Sequence, residues 1–514
     1  MKLPVMNPAA LRAAAILVGK VIGLVGRATL TRILGAEGVG LYQIAYSCYG
    51  IFLMIITGGL PTALALFTAK HPAKGWGAFR TLSVIVALAG AAASLLMYMQ
   101  SDSIAILLGN PDVEAAIRCL APALLAVPLL QLLRGYMQGS ERYGAISFSE
   151  IAEQAVRIGT MIVLVLLFAS EGTSIALGAG LTGTTIGALA AFLLLTACLA
   201  IRRSFPAGSL EPHPPLRGQV RSIVHASMAI GFTRLLMPAS DFIDSLLIPR
   251  RLQSAGYTLS EATSIYGVIT GMAVIVAYMP TIVTGAISYT MTMKLASDYQ
   301  QGELRSYQLM VRRILQLCWT WGLLSGMFLL LFADPLAHWL FHTPEAADPI
   351  RYFAVLPLVV GLRELTTSIL WTQERKNVPF MGLLNGIAFS TALLFFLLAI
   401  PGFGYEAASI GILALEGIAV LINLYALHRM QAKLFAWRWI TWEVVFLCPK
   451  SILVLIRTSA RSGVGIVLAS GWSYADLYAR CRERPSRSGE VIDAMSAITM
   501  SVSSGRGGRS FASF

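Results

Sequence analysis

Charge is scarce in this chain. Asp, Glu, Lys and Arg make up 13% of its 514 residues, against roughly 25% in soluble domains, and that deficit excludes an ordinary water-soluble globular fold. Cysteine is sparse and unpaired in sequence: Cys48, Cys119, Cys198, Cys318, Cys448 and Cys481 stand singly, most of them inside apolar runs. Such cysteines read as small core hydrophobes rather than a disulfide framework or metal site. No Walker sequence is present, so no nucleotide-driven pump is expected. His338 and His342 have the i, i+4 spacing of a metal pair, but "HWLFH" lacks the glutamate of a zinc-protease helix, and no metal or cofactor is expected.

What fills the space is apolar. Hydrophobic residues account for 56% of the chain and the mean hydropathy is +0.70. A membrane-crossing helix needs about 20 apolar residues, and about twelve such stretches follow one another between residues 11 and 430. The expected fold is therefore an all-α integral membrane protein with a multi-pass chain. No cleavable leader is expected, because the first apolar run contains Lys20 and Arg27 and lacks a small-residue cleavage site.

The formal charge of +13 suggests nucleic acid at first, but its placement speaks of topology. Lys70, Lys74 and Arg80 follow the second span, Arg202, Arg203, Arg217 and Arg221 the sixth, and Lys294, Arg305, Arg312 and Arg313 the eighth. The odd-numbered connections are acidic or neutral, except for Arg250 and Arg251. By the positive-inside rule both ends of the twelve-span region face the cytoplasm, so no nucleic-acid partner is expected.

The chain also resembles itself. Tyr42, Thr57, Thr68 and Lys70 match Tyr266, Thr281, Thr292 and Lys294 without a gap, and Pro111, Arg118, Glu141 and Arg142 match Pro344, Arg351, Glu374 and Arg375. Repeated charged and proline matches in register point to a duplication. Each half then holds six spans, an even number, so the two halves share one orientation, as in parallel-repeat transporters. The expected organisation is an N-terminal lobe over residues 1–203, a Pro-rich basic linker over 204–221, a C-terminal lobe over 222–435 and a basic, disordered or frame-disrupted tail over 436–514. In that tail Lys450, Arg457 and Arg461 interrupt the apolar pattern, and Trp437, Trp439 and Trp442 suit a membrane interface.

Ionisable groups at bilayer depth face protein or water and mark pathways. Lys20, Gly23, Arg27 and Thr31 fall within about 80° of one another on a helical wheel. Arg234, Pro238, Asp241 and Ser245 form a second stripe, in the equivalent span of the other half, with a proline expected to kink it. We expect Lys20, Arg27, Arg234 and Asp241 to line a central cavity. Glu153 and Arg157, four residues apart, are expected to form an ion pair or gate. Arg32 is expected to snorkel to the outer interface, and Glu150, three residues after Ser147, has the spacing of a capping box at a helix start. A cleft rich in arginine and lysine favours phosphate oxygens and repels organic cations.

The segments "LTRILGAEGVGLYQIAY" (30–46), "SEIAEQAVRI" (149–158) and the long stretch over 241–273 resemble the stage V sporulation protein B and polysaccharide-biosynthesis flippase family. That family belongs to the MOP superfamily, with the MurJ-type lipid II flippases and the MATE exporters. The resemblance implies a non-enzymatic flippase in the bacterial plasma membrane acting on a lipid-linked sugar pyrophosphate. A monomer is expected, driven by an ion gradient (H+ or Na+), the membrane potential or substrate flux. The resemblance also implies that Arg27 and Arg234 hold the pyrophosphate. Two transport readings remain, a lipid-linked-oligosaccharide flippase and a MATE-like cation exporter. A non-transporting scaffold or an undecaprenyl-lipid enzyme stands as an alternative of another class.

Overall fold

Inside a bilayer no water is available to bond free amides, so each apolar run must satisfy its own backbone as helix. The computed structural model describes residues 8–201 and 217–430, and they are helical almost throughout. The expectations for 204–216 and for 436–514 lie outside the described residues. The first half contains α1 (Pro8–Thr57), α2 (Leu60–Lys70), α3 (Pro72–Met99), α4 (Ser101–Leu108), α5 (Glu114–Leu120) and α6 (Ala123–Gly139). It continues with α7 (Tyr143–Leu167), α8 (Thr173–Leu181) and α9 (Gly183–Ile201). The second half opens with α10 (Arg217–Ser254), so residues 217–221 are helix rather than linker, and runs on through α11 (Leu259–Tyr266), α12 (Val274–Tyr278) and α13 (Thr281–Gln300). It closes with α14 (Leu304–Leu331), α15 (Ala333–Leu336), α16 (Ala347–Tyr352), α17 (Leu356–Thr372), α18 (Asn377–Leu397) and α19 (Gly404–Met430).

Among the described residues, eight helical stretches are long and apolar enough to cross a membrane, nine if the bent pair α5–α6 forms one span. The first of these, Ala14–Lys70, is 57 residues long, several times what one crossing of about 20 residues requires. It is broken at Gly35, which adopts φ 70° and ψ −170°, a conformation open to glycine because it has no Cβ. The "GAEGVG" sequence therefore divides two crossings inside α1. Helices α7 and α10 are long enough to cross but are not apolar throughout, since they carry the polar stripes singled out above. Large apolar side chains such as Leu88, Leu193 and Phe396 are exposed, as suits a surface bathed in acyl chains.

Positions matched in the sequence also share local geometry. Helices α3 and α14 each have 28 residues, and α6 and α17 each have 17. Glu141 and Glu374 both take the left-handed conformation, at φ 58° and 61°. Arg118 reaches back seventeen residues to the Ser101 hydroxyl, and Arg351 reaches back seventeen to the Asp334 carboxylate. Where α12 gives way to α13, the Pro280 carbonyl accepts from the Val283 amide at 3.2 Å and from Trp321 Nε1 at 2.8 Å.

The halves meet across a glycine crossing. A Cβ on Gly267 would lie on the Ala36 carbonyl and 2.5 Å from the Gly40 amide nitrogen, and one on Gly40 would strike the Thr263 carbonyl. The arm of α1 after Gly35 thus packs backbone to backbone against the π-helical segment Gly267–Ala273 that follows α11.

Candidate functional site: a cationic cavity

Facing the N-terminal end of α1 is an open cavity of about 840 Å³. The first arm of α1 contributes Lys20, Gly23 and Arg27, the polar stripe read from the helical wheel. The second arm contributes Tyr42, Gln43, Tyr46 and Tyr49, α6 contributes Gln131 and Arg134, α7 contributes Glu150, Glu153, Gln154 and Arg157, and α9 contributes Thr184. The second half closes one wall with Thr270, Tyr278 and Ile282. Four basic side chains (Lys20, Arg27, Arg134, Arg157) thus stand against two acidic ones (Glu150, Glu153), leaving two positive charges.

Those charges are held in two ways. Arg134 donates to Glu153 at 2.6 Å and to the Ser149 hydroxyl at 3.1 Å, with both ionised side chains about nine-tenths buried. Arg157 donates to the Gln154 side-chain oxygen at 2.6 Å. The expected Glu153–Arg157 pair is thereby corrected: the spacing allows it, but Arg134 from the neighbouring helix takes the carboxylate. Lys20 and Arg27 have no carboxylate within ion-pairing distance among the described residues. Lys20 is exposed and within electrostatic reach of Glu364 on α17. The Arg27 guanidinium sits 5.6 Å from the centre of the Tyr42 ring. From there a tyrosine ladder runs inward, Tyr42 stacked on Tyr46 at 4.5 Å and Tyr46 edge-on to Tyr49 at 5.8 Å, with the Tyr46 and Thr184 hydroxyls 2.5 Å apart.

Arg234 and Asp241 are not brought to this cavity. Both are exposed on α10, which remains helical through Pro238, and neither forms an ion pair among the described residues. A helical wheel shows which residues share a face but not which neighbour that face meets. Asp241 does lie within electrostatic reach of Tyr278, one of the cavity walls. Glu150 is likewise not a capping residue: α7 begins at Tyr143, and Glu150 lies inside the helix and lines the cavity. A true capping box forms at Thr258 and Glu261, opening α11.

A second cavity, of about 710 Å³, lies at the opposite end, lined by Thr31, Arg32, Glu37, Tyr257, Glu261 and Glu345 among others. Arg32 lies here, and it is anchored rather than free: it donates to the carbonyls of Trp339 at 2.5 Å and Leu340 at 3.2 Å. At the same end Asn110 donates to Thr263, Gln253 to the Gly109 carbonyl and Arg250 to the Ile106 carbonyl. Arg251 lies over the Phe395 ring, 4.1 Å from its centre. The basic pair that breaks the charge rule is thus docked onto neighbouring segments. The His338 and His342 rings stack 5.5 Å apart, and no group of three or more possible metal ligands occurs among the described residues.

The wheel argument also passed over Arg134 on α6, Arg363 and Glu364 on α17, and Glu416 on α19. Arg363 pairs with Glu416, which also accepts from the Tyr278 hydroxyl at 2.9 Å. All four interrupt apolar runs, so the same cost of charge in lipid would have found them.

Residues 9–285, more than half of the chain, match the polysaccharide biosynthesis protein family. The chain belongs to this family. This polysaccharide biosynthesis protein is also similar to curated proteins along most of its length. It is 24% identical to "Stage V sporulation protein B" of Bacillus subtilis (strain 168) over 426 residues, 80% of this chain and 81% of the relative. It is 22% identical to the "Lipid II flippase MurJ" of the same organism over 408 residues, covering 73% and 74% of the two chains. Its fold is that of the MATE transporters: a solved structure described as the inward-facing conformation of a multidrug resistance MATE family transporter matches with a TM-score of 0.69. That match is 13% identical and covers 82% of this chain and 98% of the other.

Proposed function

We propose that this polysaccharide biosynthesis protein is a flippase that moves undecaprenyl-pyrophosphate-linked oligosaccharide or peptidoglycan precursor across the plasma membrane. Its two halves act as lobes that rock around the cavity. The observation that carries this reading is the cavity at the N-terminal end of α1, where Lys20 and Arg27 have no ion-pairing carboxylate among the described residues. Two such cations suit a pyrophosphate, since guanidinium matches phosphate oxygens in its planar fork and ammonium adds a point charge. The net positive lining disfavours the organic cations a multidrug exporter would carry. The names of the two curated relatives, a sporulation protein and a lipid II flippase, support the same reading.

The test is leaflet transfer of a lipid-linked sugar pyrophosphate by the protein reconstituted in liposomes. Arg27→Ala is expected to lower transfer by about ten- to a hundredfold, the worth of a hydrogen bond to a charged group, with Arg27→Lys retaining part of it. Arg234→Ala, run in parallel, is expected to have a smaller effect because Arg234 is not a cavity wall. Transfer by Arg27→Ala and Lys20→Ala equal to that of the unaltered protein would remove the pyrophosphate role.

A further inference from the structure

The cavity is not chemically uniform. Its outer wall on the first arm of α1 has Lys20 and Arg27, which form no ion pair among the described residues. Its inner wall, on α6 and α7, is balanced: Arg134 and Arg157 stand beside Glu150 and Glu153. A phosphate placed against the inner wall would meet no net attraction and would have to compete with Glu153 for Arg134.

Yet the inner wall is left with unused hydrogen-bonding capacity. Arg134 Nη2, Arg157 Nε and the Tyr49 hydroxyl have no hydrogen-bond partner among the described residues, and neither has Glu150 Oε2, although each of these atoms is buried. Arg134 as a whole is only 7% exposed. Buried polar atoms are nearly always paired, so a cluster of them on one cavity wall calls for a ligand. The cluster offers donors and an acceptor together, with the Tyr42–Tyr46 rings beside it. A ligand that uses both kinds of group without net charge is rich in hydroxyls, each of which donates and accepts.

We infer that the inner wall, formed by Tyr49, Arg134, Glu150 and Arg157, is a sugar-binding subsite, distinct from the phosphate-binding Lys20 and Arg27. This rests on the flippase reading above. The ladder Tyr42–Tyr46–Tyr49 connects the two subsites, so the pyrophosphate lies against Arg27 while the first sugar ring reaches inward. Selectivity for the glycan then resides on α6 and α7, and affinity for the lipid pyrophosphate on α1.

The test compares two probes on the full-length protein in nanodiscs: undecaprenyl pyrophosphate, and the same lipid carrying one N-acetylhexosamine. The unaltered protein is expected to bind the glycosylated lipid about tenfold more tightly. Tyr49→Phe keeps the ring and removes a hydroxyl that has no hydrogen-bond partner among the described residues, so a purely structural role predicts no change. Tyr49→Phe is expected to weaken binding of the glycosylated lipid by about three- to tenfold and to leave the bare lipid unaffected, and Glu150→Gln is expected to lower the preference for the glycosylated over the bare lipid by a similar factor. Arg27→Ala is expected to weaken both lipids equally. Equal binding of the two lipids by the unaltered protein, or an unchanged preference in the Tyr49→Phe/Glu150→Gln double variant, would overturn the sugar subsite and leave the flippase reading standing. Failure of the unaltered protein to bind either lipid would overturn both.

Discussion

Glu416→Ala is expected to lower the stability of the protein in detergent by about 3–5 kcal/mol, the usual consequence of removing one partner from a buried ion pair. Glu416 is 1% exposed at its side chain and Arg363 15%, and the Tyr278 hydroxyl donates to the same carboxylate. The truncation on α19 therefore strands a hydroxyl on α12 and a guanidinium on α17. A well-packed apolar replacement of both ions is often neutral or better, so Arg363→Met combined with Glu416→Leu is expected to recover most of the loss. Thermal unfolding of the three proteins measures both effects. A double variant no more stable than Glu416→Ala would show that the cost lies elsewhere than in the unpaired charge.

An effect of similar size is expected at the glycine crossing. In Gly267→Val the new side chain meets the Ala36 carbonyl and the Gly40 nitrogen, both backbone atoms of the facing helix. A flexible side chain could swing aside, but a helix backbone moves only as a unit. Overpacking commonly costs about 1–3 kcal/mol where side chains can adjust, and here they cannot. Gly267→Val is expected to abolish accumulation of folded protein, while Gly159→Ala, at a helical position with nothing within 4 Å, is expected to leave it at the level of the unaltered chain. Detection of monodisperse protein by size exclusion separates the outcomes, and normal yields of Gly267→Val would mean that the halves do not cross in this way.

How much of this was readable before the fold was known depends on the range of the interaction. The α1 stripe was legible because it is local: residues three and four apart share a face whatever surrounds them. The break in α1 was legible at "GAEGVG", since glycine marks backbone that other residues avoid. The duplication was read from charged matches in register, which are informative among apolar helices. What failed was partner choice. Glu153 has Arg157 four residues on, but it is bound by Arg134, nineteen residues back, on a different helix. Ser147 and Glu150 have the spacing of a helix cap and sit inside a helix, because α7 had already started at Tyr143. The orientation of α10, and with it the placement of Arg234 and Asp241, is set by packing, and sequence periodicity carries no record of that.

The hydrogen bonds between the halves described above, two from Arg32 and one each from Asn110, Gln253 and Arg250, act as a clasp at the end remote from the N-terminus of α1. At about 0.5–1.5 kcal/mol net each, unfastening them costs on the order of 5 kcal/mol. Reversing a 99:1 preference between two states takes about 5.5 kcal/mol. On the flippase reading proposed above, cargo that turns the protein over must therefore favour the unclasped shape by several thousandfold. On that same reading, a clasp shut in the empty protein keeps its remote end closed, and turnover follows how strongly the cargo prefers the other shape.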